Sequence, residues 1–408
     1  MKIKTIITIL SLIFFYTQSV YSQNVEDQFQ LGKRYFDAKD YTKAKNKFSF
    51  VVSKNDLYYE AYTYRARCYL ELNQPDSALV DFATALKKKN DYLPAYYYRA
   101  NYYFQQKNNS KAVHDLNFVI ENKPNFMPAV LLRAEIYELE GKSELAFKDY
   151  SAAIANGTKN ATVYYKRSLL YSAKSAHRAA VSDLNLSVKI KPKYLEAWYQ
   201  KGVEHQFLGQ ITDAIAAYSQ AIILDVEFQK AYERRAYLFY VDKNYESSIL
   251  DNEQLILHFR LRNDTLYIRN AKSKMAILDW SGADRDLMKA SGIDPNNEEV
   301  LLLRAKVSLA KERVSTAISY LQRATRNNPN SNEAWLMLGE IYYQQKLMDK
   351  AIDSLNESIK AEKTGEAYYL RGACYYALKD KTNACLDTQK AAEMGNVQAK
   401  NDQAIICR

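Results

Sequence analysis

LEAWYQKGVEHQFLGQITDAIAAYSQAIILDVEF (195–228) and NEAWLMLGEIYYQQKLMDKAIDSLNESIKAEKT (332–364) carry one pattern in two places. Trp198 aligns with Trp335, Gly202 with Gly339, Ala214 with Ala351 and Tyr218 with Leu355. Working outward, the small residue recurs as Gly32, Ala66, Ala100, Ala134, Ser168, Gly202, Ala236, Ala271, Ala305, Gly339 and Gly372. The step is 34 six times, then 35, 34, 34 and 33. Twelve residues after each stands a second small residue, from Ala44 and Ala78 through Ser248 to Ala351 and Ala384. Three residues after the first column stands a ring in most repeats, with Lys274 and Ser308 as exceptions.

Two helices of about a dozen residues plus two short turns fill such a period. Where the helices cross, their backbones approach closely and only Gly, Ala or Ser fits. One hairpin cannot bury its apolar stripe alone, and stacked neighbours cover each other. The prolines agree. Pro124, Pro192, Pro295 and Pro329 fall between repeats, Pro94 and Pro128 fall in the first turn of a helix, and Pro75 falls in a turn inside a repeat.

This pattern resembles the tetratricopeptide-repeat (TPR) family, best at Trp198, Gly202, Ala214, Tyr218 and Ala221, and at Trp335, Leu338, Gly339, Tyr342, Ala351 and Leu355. The resemblance implies an all-α TPR alpha-solenoid, a right-handed superhelix of about 11 repeats with a C-terminal capping helix. The repeats fall at about 25–58, 59–92, 93–126, 127–160, 161–194, 195–228, 229–263, 264–297, 298–331, 332–364 and 365–398, followed by a capping tail at 399–408. The extra residue lies between Leu255 and Asp264, so 256–263 is either a hinge or a tolerated loop insertion.

By the same resemblance, the first helix of each pair lines a concave groove that takes a protein or peptide. Residues at or near groove positions are Tyr97, Asn101 and Phe104; Tyr165; Tyr199 and Gln206; Tyr237 and Tyr240; Glu340 and Tyr343; and Tyr369 and Tyr376. Tyrosine suits recognition because it offers large area, a hydroxyl and few rotors. The competing reading is simple packing, since the chain has 35 Tyr in all. The Lys/Asn/Arg set with which some cytosolic family members clamp a terminal carboxylate is not recognisable at these positions.

A basic residue precedes the first small column at Arg65, Arg99, Arg133, Arg167, Lys201, Arg235, Arg304 and Arg371. Sixteen residues later stands Asp81, Asp115, Asp149, Asp183, Asp251, Asp286 or Asp387. Lys201 faces Ala217, Arg304 faces Tyr320, and Asp286 faces Asn270. A stripe for acidic ligands is one reading. A structural ladder of Arg–Asp pairs between facing helices is the one we adopt, leaving open whether pairs form within or between repeats.

The N-terminus reads as a secretory signal peptide over 1–22. Lys2 and Lys4 precede the apolar run Ile6 to Tyr16, and Val20 and Ser22 occupy the small-residue positions before a cleavage between Ser22 and Gln23. No Cys follows for lipid attachment, and no later stretch is apolar enough to span a membrane. The expected location is therefore the periplasm or the extracellular space. The Lys/Asn/Tyr-rich composition resembles exported proteins of the Bacteroidota at the level of composition only. The formal charge of +10 falls to +8 without Lys2 and Lys4 and lies scattered, so no nucleic-acid partner is expected. Export permits a disulfide among the C-terminal cysteines. An antiparallel final helix brings Cys407 towards Cys385, with Cys374 as the competing partner.

No catalytic constellation stands out. His114, His177, His205 and His258 share no spacing, so no metal or other cofactor is expected. Gly-x-Ser-x-Gly, phosphate-loop and His-Glu-x-x-His motifs are missing from the sequence. The expected function is a non-catalytic interaction scaffold or adaptor. A glycan- or peptidoglycan-binding subunit of an envelope complex is the alternative, because aromatic platforms bind sugar faces.

Overall fold

The computed structural model describes residues 24–408. The expected signal peptide and its Ser22–Gln23 cleavage point lie outside the described residues. The described residues hold helices and turns with no strand. Two compact units divide at Glu204 and His205.

The first unit contains α1 (24–37), α2 (Tyr41–Lys54), α3 (Tyr59–Glu71), α4 (Pro75–Lys88), α5 (Leu93–Gln105), α6 (Asn109–Asn122), α7 (Met127–Leu139), α8 (Ser143–Ala155), α9 (Ala161–Ala173) and α10 (His177–Ile190). It also holds most of α11 (Leu195–Phe207), within which the division falls. The second unit contains α12 (Ile211–Leu224), α13 (Gln229–Val241), α14 (Tyr245–Glu253), α15 (Asp264–Ala276), α16 (Trp280–Ile293), α17 (Glu298–Ala310), α18 (Val314–Asn327), α19 (Asn332–Gln344), α20 (Met348–Ala361), α21 (Gly365–Ala377), α22 (Lys381–Glu393) and α23 (Val397–Ile406). Within each unit, consecutive helices pack on one another and each hairpin packs on the next.

The small columns lie where the helices cross. Ala66, Ala78, Ala100, Ala112, Ala305 and Ala317 are fully buried. At Gly32 a methyl group would sit 2.7 Å from the Phe48 ring, and at Gly339 it would sit 2.6 Å from Leu355 Cγ. The rings and aliphatic groups beside each crossing form the core, as where Phe82 packs between Ala66, Ala78 and Ala95.

A second regularity marks the turn inside each hairpin. One residue there adopts the left-handed region: Lys39, Asn73, Lys107, Gly141 and Ser175 in the first unit, and Gly209, Lys243, Leu278, Glu312, Lys346 and Lys379 in the second. Asn73 N–H donates to Leu70 C=O (3.0 Å) and Gln74 N–H to Tyr69 C=O (2.8 Å), closing the end of α3. That paired closure satisfies carbonyls a helix end would otherwise leave open. Pro75 stands at the first position of α4, just past this turn, where its missing N–H removes no helical bond.

The extra residue lengthens the connector before α15, where 259–263 has five non-helical residues against four at 55–58 and 225–228. The last turn of the helix after α14 is a π-turn, Gln254–His258, where Phe259 N–H reaches back five residues to Gln254 C=O (3.2 Å). Leu255 is fully buried and anchors this turn. At the other end, α23 folds against α21 and α22. Cys385 and Cys407 are joined by a disulfide with a Cα–Cα distance of 4.8 Å. Cys68 and Cys374 are buried free thiols.

Candidate functional site

The basic and acidic columns meet inside six of the repeats. Arg99 donates to both carboxylate oxygens of Asp115 at 2.8 Å, and Arg167 to those of Asp183 at 2.7 and 2.8 Å. Arg65–Asp81, Arg133–Asp149, Arg235–Asp251 and Arg371–Asp387 repeat this fork. The third guanidinium edge often bonds the preceding hairpin: Arg133 reaches Asn117 (2.7 Å) and Arg235 reaches Ser219 (2.8 Å). Hydrogen bonds donated to Asp115, Asp183 and Asp387 hold the Arg99, Arg167 and Arg371 guanidiniums above their ordinary range. Burial pushes Asp81 up despite its arginine. These arginines are committed to holding helices together.

Two repeats solve the same problem differently. Arg304 has no acid opposite and lies over the Tyr320 ring at 4.4 Å. In the repeat carrying Asp286, Lys274 supplies the cation at 2.9 Å, and Asn270 adds a 2.7 Å hydrogen bond. Lys274 replaces the usual ring because Asp286 has lost its arginine. Its ammonium also meets Glu253 at 3.0 Å.

Away from the ladder, first helices present tyrosines. In the first unit a cleft of about 400 Å³ is lined by Phe36 from α1, by Arg67, Leu70 and Glu71 from α3, and by Tyr97, Tyr98, Asn101, Tyr102 and Gln105 from α5. Arg67 is sandwiched between the rings of Phe36 (4.3 Å) and Tyr98 (4.0 Å). Asn101 donates its amide to Tyr97 C=O of its own helix (3.0 Å). In the second unit, Tyr237 and Tyr240 line a cleft with Asp264, Thr265, Ile268, Arg269, Lys272, Asn297 and Glu299.

The other groove candidates scatter. Phe104 packs on the core of α5, α6 and α7. Tyr165 packs its ring at a tilt against Tyr194, with centroids 5.1 Å apart. Tyr199 is half-buried, Gln206 accepts from the Tyr218 hydroxyl (3.1 Å), and Tyr343 packs beside Leu355. Tyr376 is exposed. Glu340 is exposed and accepts a long 3.5 Å hydrogen bond from Gln344. Tyr369 donates to Asp402 of α23 at 2.7 Å, and burial together with that carboxylate pushes its hydroxyl up to about 12. Tyr369 thus fastens the last helix. Arg67 and Arg269 line these clefts although no groove position drew attention to them. The signal was a basic residue outside the ladder column.

His205 is buried and bonds Gln210 at 2.7 Å, as a core histidine does. Among the described residues, no group of three His, Cys, Asp or Glu could hold a metal ion. No described helix is long and apolar enough to cross a membrane.

The fold and these faces define a class: helical-hairpin repeat proteins that offer side-by-side first helices to a partner. The chain belongs to the tetratricopeptide-repeat family, whose profile matches residues 29–94, 97–161, 199–259 and 302–365. Its solved likenesses include the C-terminal part of a TPR repeat-containing protein from Cytophaga hutchinsonii, at 16% identity over 66% of this chain and 98% of that one, with a TM-score of 0.42. A tetratricopeptide repeat protein from Parabacteroides merdae shows 17% identity over 78% and 99%, with a TM-score of 0.36. Yeast Tom70 shows 12% identity over 94% of each chain, with a TM-score of 0.38. Among curated proteins, no sequence matches the chain. Tetratricopeptide-repeat proteins generally act as protein–protein interaction scaffolds.

Proposed function

We propose that this protein is a non-catalytic scaffold that holds a protein or peptide outside the cytoplasm. The observation carrying this reading is the first-unit cleft, where α1, α3 and α5 from three successive repeats place Phe36, Arg67, Tyr97, Tyr98, Asn101 and Tyr102 around one opening. Rings with few rotors lose little entropy when a partner covers them. Location outside the cytoplasm is supported by Lys2, Lys4 and the Ile6 to Tyr16 run, and by the Cys385–Cys407 disulfide, which suits an oxidising compartment.

A photo-crosslinking side chain at Tyr102, introduced into the protein in its own cells, should yield discrete protein adducts identifiable by mass spectrometry. The same group at Val80, exposed on α4, should not. Equal labelling from both positions, or none from Tyr102, defeats the scaffold reading. Retention on purified cell wall, released by soluble glycan, would favour a sugar ligand instead. The mass of the exported protein should correspond to a chain beginning at Gln23.

A further inference from the structure

In the repeat of α15 and α16 the arginine has moved. Regular repeats place it immediately before the small column, as Arg235 stands before Ala236. Here that position holds Asn270, and the arginine is Arg269. One residue turns a side chain by about 100° around a helix. The shift takes Arg269 off the face that meets Asp286, and Lys274 fills the gap. Arg269 instead lines the cleft with Tyr237 and Tyr240, and its guanidinium lies over the Tyr237 ring at 5.4 Å.

Among the described residues, no hydrogen bond or ion pair engages this guanidinium. The charged groups around it hold other hydrogen bonds, and none sets an oxygen on the guanidinium. Lys272 is paired with Glu299. Glu233 accepts from Gln229 at 2.7 Å, and Asp264 accepts from Thr265 N–H at 2.7 Å. Burial holds Arg269 below its ordinary range against the weaker opposing pull of Tyr237, Glu233 and Tyr240, whereas hydrogen bonds to their aspartates raise Arg99, Arg167 and Arg371. A half-buried guanidinium with a ring over one face keeps its N–H edge for an in-plane, two-oxygen acceptor.

We propose that the cleft between α13 and α15 receives an acidic peptide segment of the partner, whose Asp or Glu carboxylate is bound by Arg269 against Tyr237. The proposal rests on the scaffold reading and names the chemistry of its ligand. The Tyr240 and Thr265 hydroxyls in the same cleft supply further polar contacts for the peptide.

The test uses the full mature chain and two fluorescent probes at about 150 mM salt, where scattered surface charge is screened. One probe is hexaglutamate with blocked ends. The other is hexaglutamine with a free C-terminus. Hexaglutamate should bind and hexaglutamine should not. Arg269→Met should weaken hexaglutamate about tenfold or more, and Arg269→Lys should recover only part, because a point charge lacks the fork. Lys363→Met, which removes an equal charge at an exposed site, should change little. Arg269→Met should melt no lower than wild type, since it removes a half-buried charge that no ion pair holds. Unchanged affinity in Arg269→Met, an equal loss in Lys363→Met, preference for hexaglutamine, or a clear fall in melting temperature would each overturn the proposal. If Tyr102 adducts persist while Arg269→Met binds hexaglutamate normally, the carboxylate site falls and the scaffold reading stands.

Discussion

The Asp149 carboxylate is nearly fully buried, and the Arg133 fork is its counter-charge. Removing one partner of such a pair strands the other, at a cost of roughly 3–5 kcal/mol. Asp149→Ala should therefore destabilise by about that amount in denaturant titration, well beyond an average surface change of about 0.5 kcal/mol. Arg133→Met combined with Asp149→Ala should cost much less than the two single changes summed. A melting temperature equal to wild type for Asp149→Ala would make the ladder decorative. The same logic yields a less intuitive case at Lys274. Lys274→Tyr restores the ring that the family pattern favours, yet it leaves buried Asp286 with only the Asn270 amide and the longer 3.7 Å pair to exposed Lys289. It should destabilise by about 3 kcal/mol, and adding Asn270→Arg should recover most of the loss. A stabilised Lys274→Tyr variant would show that the ammonium is not the counter-charge.

Among elements, the turn inside each hairpin carries measurable strain. Nine residues other than glycine adopt positive φ in these turns, and Leu278, at φ 64°, is also largely exposed. A left-handed residue with a Cβ costs roughly 1–2 kcal/mol, and glycine escapes most of it while losing some chain entropy. Leu278→Gly should raise stability by about 1 kcal/mol, read as a higher midpoint in denaturant; a lower midpoint would mean that Leu278 packs in a way its exposure conceals. The helices were legible because small residues recur at a fixed period, and steric fit at a crossing admits few alternatives. The inserted residue was legible as a break, but the π-turn just before it was not, since a buried Leu255 and a looped Leu255 read alike. Arg269 was not legible as a site residue, because a column search treats a one-residue shift as a gap. Tyr369 looked like a groove ring because nothing in the repeat pattern says where Asp402 folds back.

For the whole molecule, two consequences follow from how the sulfurs and the hairpins are arranged. Cys68 and Cys374 are fully buried, and burial pushes their thiols up to about 12 and about 11. The thiolate is the reactive form, so the native protein should resist thiol reagents, unfolding without reductant should expose two thiols, and unfolding with reductant four. Rapid native labelling would contradict that burial. The hairpins bear on how damage spreads. Each packs on its neighbours within its unit, so stability is close to a sum of local terms and nearest-neighbour couplings. A defect should then spread only a short way. In Asp149→Ala, amide hydrogen exchange should accelerate in α6, α7 and α8, whose side chains meet at the stranded Arg133. In the second unit, α19 to α22 should keep wild-type rates within about twofold, because local openings there break none of the altered contacts. Uniform acceleration would mean that the chain opens only as one cooperative body, and the reading of it as hairpins coupled to their neighbours would fail.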